Sequence, residues 1–155
     1  MSSQPKKEQS SQPPAFRQLS RHYIKSVWDI AQRDIHSLDE EERLLAFIMR
    51  DHEEFREVWE NMDQHLEKEF QPGVDVDPFL HVTLHHILEN QIRSQDPPEV
   101  ERVFQALKDK GLERPKALHM MGVVLLEHML QAMEHDDMFD MQTYLRDLIL
   151  LPMKM

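Results

Sequence analysis

Cysteine is absent from all 155 residues of the chain, which excludes a disulfide framework, a thiolate metal site and a cysteine nucleophile. Any metal here would be held by His, Asp, Glu and water. Glycine is scarce: Gly73, Gly111 and Gly122 stand alone. Without a GxGxxG or GxxxxGK(S/T) pattern, no familiar loop is present to cradle a nucleotide's phosphates. Long hydrophobic runs are missing as well. No window approaches the roughly 18 apolar residues of a membrane span, and the N-terminal MSSQPKKEQSSQPP has no apolar signal-peptide core, so a soluble, cytoplasmic chain is expected. Positive charge is in deficit, with 18 Lys and Arg against 29 Asp and Glu and a formal net charge of −11. The mean field repels phosphate backbones and anionic lipid surfaces. Neither nucleic acid nor a membrane is an expected partner. There is no GxSxG elbow, and outside the N-terminal tail the serines are Ser20, Ser26, Ser37 and Ser94. Thr83 and Thr143 have no evident partner either, so nucleophilic hydrolysis has little footing and no catalytic residue is assigned.

What is present is helical periodicity. Residues 1–14 carry Ser, Gln, Pro and Lys without an apolar face and are expected to form a flexible tail. Residues 15–155 are expected to form a single helical domain. Phe16, Leu19, Tyr23, Ile24, Val27, Trp28 and Ile30 recur every three or four residues and predict a helix ending near Asp34. Ser37 and the acidic turn Asp39 to Glu42 suit the start of a second helix. Leu44, Leu45, Phe47, Ile48, Phe55, Val58, Trp59, Met62 and Leu66 extend it as one long helix or two abutting ones, with Arg50 to Glu54 as the natural break. Pro72-Gly73 marks a turn, and Asp77 before Pro78 predicts a capped third helix. Asp96-Pro97-Pro98 repeats the cap-then-proline start of a short helix ending at Gly111. Pro115 opens another helix to about His135, with Leu118, His119, Gly122, Val123, Leu125, Leu126, Met129 and Met133 expected inward. A last helix runs from about Asp140 to Leu150, closed by Pro152. No window alternates with a period of two, and β-branched residues are sparse. The expected fold is all-α, a compact bundle of about five to six helices, with no repeat of the solenoid kind.

The chemistry-bearing residues are histidines, ten in all. His81 and His85 stand at i and i+4, the spacing that lets two imidazoles reach one ion. His86 lies about 100° further round the helix and is expected to face solvent, as are His22, His36, His65, His128 and His135. His52 among apolar neighbours, and His119 with Glu127 on a face expected to pack inward, would bring polar groups from three helices to one interior point, the way bundle metal sites are built. The Glu-x-x-His pair of di-iron bundles does not occur. The competing reading is a buried hydrogen-bond network in which the same histidines fix helix register. Eleven methionines suit either a forgiving core or an adaptable partner surface.

Certain strings are similar to a known family. Leu38-x-x-x-Glu42, His52-x-Glu54-Phe55, Asp77-Pro-Phe-Leu-His81-x-x-x-His85, the helix with His119 and Glu127, and Tyr144-Leu145, in this order over about residues 16–150, resemble a bacterial family catalogued as domain of unknown function 1841. The resemblance implies a small helical bacterial protein and no particular activity. Where the family pattern tends to place a second histidine four residues after the first, this chain has Arg56. Carboxylates expected near Asn90 and Val123 are replaced. The matching positions His52, His81, His85, His119 and Glu127 form the expected group. The leading expectation is an interior His/Glu site for a divalent metal, zinc or iron suiting imidazole and carboxylate ligands. The alternative is a non-catalytic interaction or adaptor protein with structural histidines and a protein partner.

Overall fold

The computed structural model describes residues 20–71 and 74–155. The expected tail at 1–14, the first predicted apolar positions Phe16 and Leu19, and the Pro72-Gly73 turn lie outside these residues. Among the described residues there are seven α-helices and no strand, so the all-α expectation holds. The helices are α1 (Arg21–Asp34), α2 (Glu40–Asp51), α3 (Arg56–Glu60), α4 (Pro78–Ser94), α5 (Pro98–Asp109), α6 (Arg114–Glu134) and α7 (Met141–Leu150). The chain divides into two compact units, the first ending at His86 and the second beginning at Ile87.

In the first unit α1 and α2 pack together, burying Ile24, Val27 and Ala31 from one and Leu44, Leu45, Ile48 and Met49 from the other. Each large apolar side chain so buried contributes about 1.5–3 kcal/mol before the entropy of ordering it. The start of α2 differs from expectation. Asp39 is its cap, in a reciprocal box with Glu42: the Glu42 N–H donates to Asp39 Oδ1 at 2.8 Å and the Asp39 N–H to Glu42 Oε1 at 2.9 Å. Ser37 instead donates to the Asp34 carbonyl at 2.7 Å, closing a 3-10 turn after α1. A carboxylate three residues before a glutamate out-competes the hydroxyl because it satisfies two end groups at once.

Of the two arrangements expected for the second helical stretch, one long helix or two abutting ones, the structure has two, which brings the helix count to seven among the described residues. The break falls at His52, whose backbone (φ −93°, ψ 75°) leaves the helical region. A 3-10 turn at Glu53–Phe55 then leads into α3. Helix α4 starts as the sequence indicates: Asp77 Oδ1 accepts from the Phe79 and Leu80 N–H groups at 3.0 and 3.1 Å.

In the second unit α5, α6 and α7 each pack against the other two, around Val100, Phe104 and Leu107 of α5, Met121, Leu125 and Met129 of α6, and Tyr144 and Leu148 of α7. Helix α5 is capped by Pro97 rather than Asp96, and no side chain bonds its end. It closes at Gly111, whose φ of +95° is one that L side chains rarely adopt. The Tyr144 hydroxyl, fully buried, donates to Gln91 Oε1 at 3.0 Å. Helix α6 is turned relative to expectation: Ala117, Leu118, Met121, Val124, Leu125, His128 and Met129 face the core, and His119, Val123, Glu127 and Met133 are exposed. Apolar residues run almost all round this helix, so spacing alone does not choose its inner face.

Candidate metal centre

The structure brings His52, His81 and His85 together, with one ring nitrogen from each lying within 4.8 Å of the others. All three are half-buried. His81 and His85 follow one another up α4, ring centroids 4.8 Å apart. His52 meets both edge-on, at 4.9 and 4.8 Å. Four-coordinate bonds of about 2.0–2.1 Å to zinc place ligand nitrogens about 3.4 Å apart. The three rings therefore need only small side-chain rotations to converge on an ion.

Each ring's place follows from local chemistry. Because α2 ends at His52, the last carbonyls of that helix lack intrahelical partners. The imidazole satisfies one of them, His52 Nδ1–H donating to the Ile48 carbonyl at 2.7 Å. That bond sets the hydrogen on Nδ1 and leaves Nε2 as the ring's acceptor, the arrangement in which metal-ligating histidines are usually held. The negative end of the α2 dipole lies at the same place and favours a cation by about 0.3–1 kcal/mol.

Behind the imidazoles stands an aromatic wall. Phe55 stacks on His52 at 5.8 Å and 4° and sets its edge to His81 at 5.4 Å. Trp59 braces Phe55 and Phe79 at 6.0 and 5.8 Å. Its indole N–H donates to the Met49 carbonyl at 2.9 Å, so the break after α2 is tied down from a second side.

Arg21 fixes the approach to α4. Its guanidinium donates to the carbonyls of His65, Leu66 and Lys68 at 3.2, 3.0 and 2.6 Å and to Asp77 Oδ2 at 3.4 Å. It also lies 4.8 Å over the Phe79 ring. One side chain thus holds the segment after α3, the cap of α4 and an aromatic of its first turn. Sequence reasoning missed Arg21 because its partners are carbonyls, which carry no residue signature. The His52-x-Glu54-Phe55 string ties Phe55 to His52, whereas Trp59 reads from sequence as a core position only, although its spacing from His52 is legible.

A cleft of about 550 Å³ opens beside the cluster with His52, Trp28, Trp59, Arg50 and Arg56 in its wall. Most of its charges pair among themselves: Lys25 with Asp29 at 2.6 Å and Asp63 at 3.8 Å, and Arg56 with Glu53 and Glu60 at 3.6 and 3.3 Å. The cleft therefore does not present a field of one sign.

His119 and Glu127, grouped with the other histidines from sequence, sit at exposed positions of α6 in the second unit. The expectation that they face an interior is corrected by the turn of that helix. Arg56 is exposed and engaged by its two glutamates. Asn90 is half-buried near the end of α4, and Val123 is exposed on α6.

Two histidines expected at the surface are buried. His86, 6% exposed, donates from Nε2 to the Glu41 carbonyl at 2.9 Å. Burial holds its protonation below the usual imidazole range, although that bond pulls the other way. His128, 7% exposed, donates from Nε2 to Asp147 Oδ2 at 2.8 Å. Their positions were misread because the inner faces of α4 and α6 are wider than a two-residue spacing reveals.

Residues 16–149 match the family described as domain of unknown function 1841 (DUF1841). The chain belongs to that family. No curated protein and no solved structure matches it. Among the described residues no helix is long and apolar enough to cross a membrane.

Proposed function

We propose that this member of the DUF1841 family is a cytoplasmic metal-binding protein that holds one divalent transition-metal ion, zinc or iron, through His52, His81 and His85. The observation that carries the reading is the approach of three imidazole nitrogens to within 4.8 Å of one another on two elements that meet at a helix break. Neutral imidazoles suit both ions, and a set of three leaves coordination positions for water or a further ligand. Water bound to such an ion is acidified, so the site has the makings of Lewis-acid chemistry. His119 and Glu127 are left out of the ligand set.

A second reading, a non-catalytic interaction protein with structural histidines, has one observation of its own. The His52 bond to the Ile48 carbonyl and its stacking on Phe55 are what an imidazole closing a helix end would make without any metal.

The experiment that separates them uses untagged protein, given one equivalent of zinc or ferrous iron, desalted and analysed for metal. One ion per chain, lost in both His52→Ala and His81→Ala, supports the site. Metal far below one per chain in the parent, with the variants merely less stable, supports the structural reading and overturns the proposal.

A further inference from the structure

The outer face of α6 is apolar where a surface helix is normally polar. Val123 is 57% exposed, Leu130 47% and Met133 56%, with Leu126 half-buried between them. At 100° per residue these side chains fall within one stripe, opposite the face that packs on α5 and α7. A contiguous stripe of this kind marks an interaction surface more often than a scatter of single apolar residues does. Lys116 lies at one end of it. Glu134, and Asp137 held by its N–H to the Ala132 carbonyl at 2.9 Å, lie at the other.

Charge of opposite sign at the two ends of an apolar stripe is self-complementary about a two-fold axis, the requirement for an interface between identical surfaces. When two copies of α6 run antiparallel with Val123 of one opposite Leu130 of the other, the helix register places His119 opposite Glu134, and Lys116 faces the acidic end of the other copy, where Asp137 follows the helix. Val123, Leu126 and Leu130 then lie about the centre, where Glu127 falls opposite Leu126 of the other copy, and Lys116 and Glu134 lie toward the rim. The opposed helix dipoles favour the same orientation.

We infer that the chain forms a two-fold dimer by antiparallel pairing of the Val123–Leu130 face of α6 with the same face of a second copy. This pairing does not involve the histidine cluster and stands or falls independently of it.

Sedimentation equilibrium of the full chain over a concentration series tests it, with circular dichroism to verify helix content. The parent is expected to dimerise. Leu130→Lys and Val123→Glu, both at exposed positions, are each expected to weaken the dimer at least about tenfold. The variant carrying both substitutions sets the introduced carboxylate of one copy opposite the introduced ammonium of the other across the axis, and is expected to recover most of that loss. Lys116→Glu should weaken the dimer less, and more at low than at high salt. A parent that stays monomeric at every concentration assigns the stripe to another protein or to another segment of the chain and overturns the inference. A dimer that Leu130→Lys leaves unchanged uses a different face and overturns it too.

Discussion

The two units treat the same side chain in opposite ways. In the first, His52, His81 and His85 gather three ring nitrogens within 4.8 Å of one another. In the second, His128 is committed to one carboxylate, Asp147, at 2.8 Å, and packed against the rings of Phe139 and Tyr144 at 6.5 and 6.0 Å. Three imidazoles converging on one point are arranged to share one dication. A single imidazole with an acid favours a hydrogen bond of its own. Residue type does not set these surroundings; the number of donors converging on one point does.

The largest effect expected from breaking this contrast is on metal content. His52→Ala or His81→Ala should take one bound ion per chain to none, whereas His128→Ala should leave the stoichiometry unchanged. With free zinc at about 100 times its dissociation constant, the parent should gain about 2.7 kcal/mol against urea, and the cluster variants should gain nothing. An equal loss of metal in His128→Ala would erase the distinction between the units.

How much of this was legible in the sequence varied with the kind of signal. Asp77-Pro78 announced α4 because a capping carboxylate and a proline act locally, within one turn. The break at Arg50 to Glu54 was visible as a polar interruption, though not that His52 itself would end the helix and use its ring to close it. His52, His81 and His85 could be grouped because each lies on a short apolar pattern. His119 and Glu127 could not be placed, since α6 offers apolar residues on every side and its inner face is chosen by α5 and α7. Arg21 left no trace at all, because its partners are backbone carbonyls.

The two tyrosines extend the comparison and give the next effect in size. Tyr144 is fully buried in the second unit, and burial pushes its phenol well above the usual range. Tyr144→Phe removes the hydroxyl that donates to Gln91 at 3.0 Å and should cost about 1 kcal/mol in urea unfolding. An unchanged midpoint would mean that this bond contributes nothing beyond the packing of the ring.

Tyr23, half-buried in the first unit, is pushed up to about 12, first by burial and then by the charge of Glu42, whose carboxylate accepts its hydroxyl at 3.4 Å. The folded value lies above the ordinary 10.0. The neutral phenol's contribution to stability is therefore complete below pH 10 and is lost as pH rises through about 12. In the Tyr144→Phe background Tyr23 is the one phenol left, and alkaline difference absorbance reads it alone. Glu42→Gln should move that titration toward 10.0 without reaching it, because burial, the larger cause, remains. An unmoved curve would leave burial as the whole explanation.

The smallest expected effect lies in the His128 pair itself. The hydrogen bond from His128 holds the Asp147 carboxyl below its ordinary 3.8, and the charges of His128 and Arg146, the latter 3.6 Å away, act in the same direction. A depressed folded value means that the ionised carboxylate stabilises the fold fully above pH 3.8 and that this contribution disappears as pH falls through the lower, folded value. Asp147 is 38% exposed, so water and salt screen much of the gain and the effect should be modest. Asp147→Asn keeps the shape and removes the charge. Its urea midpoint should fall slightly below that of the parent at pH 7, and the gap should close toward pH 3. No gap at either pH value would show that His128 needs an acceptor oxygen, which the amide also offers, but not its charge, and the carboxylate would lose its part in the contrast with the histidine trio.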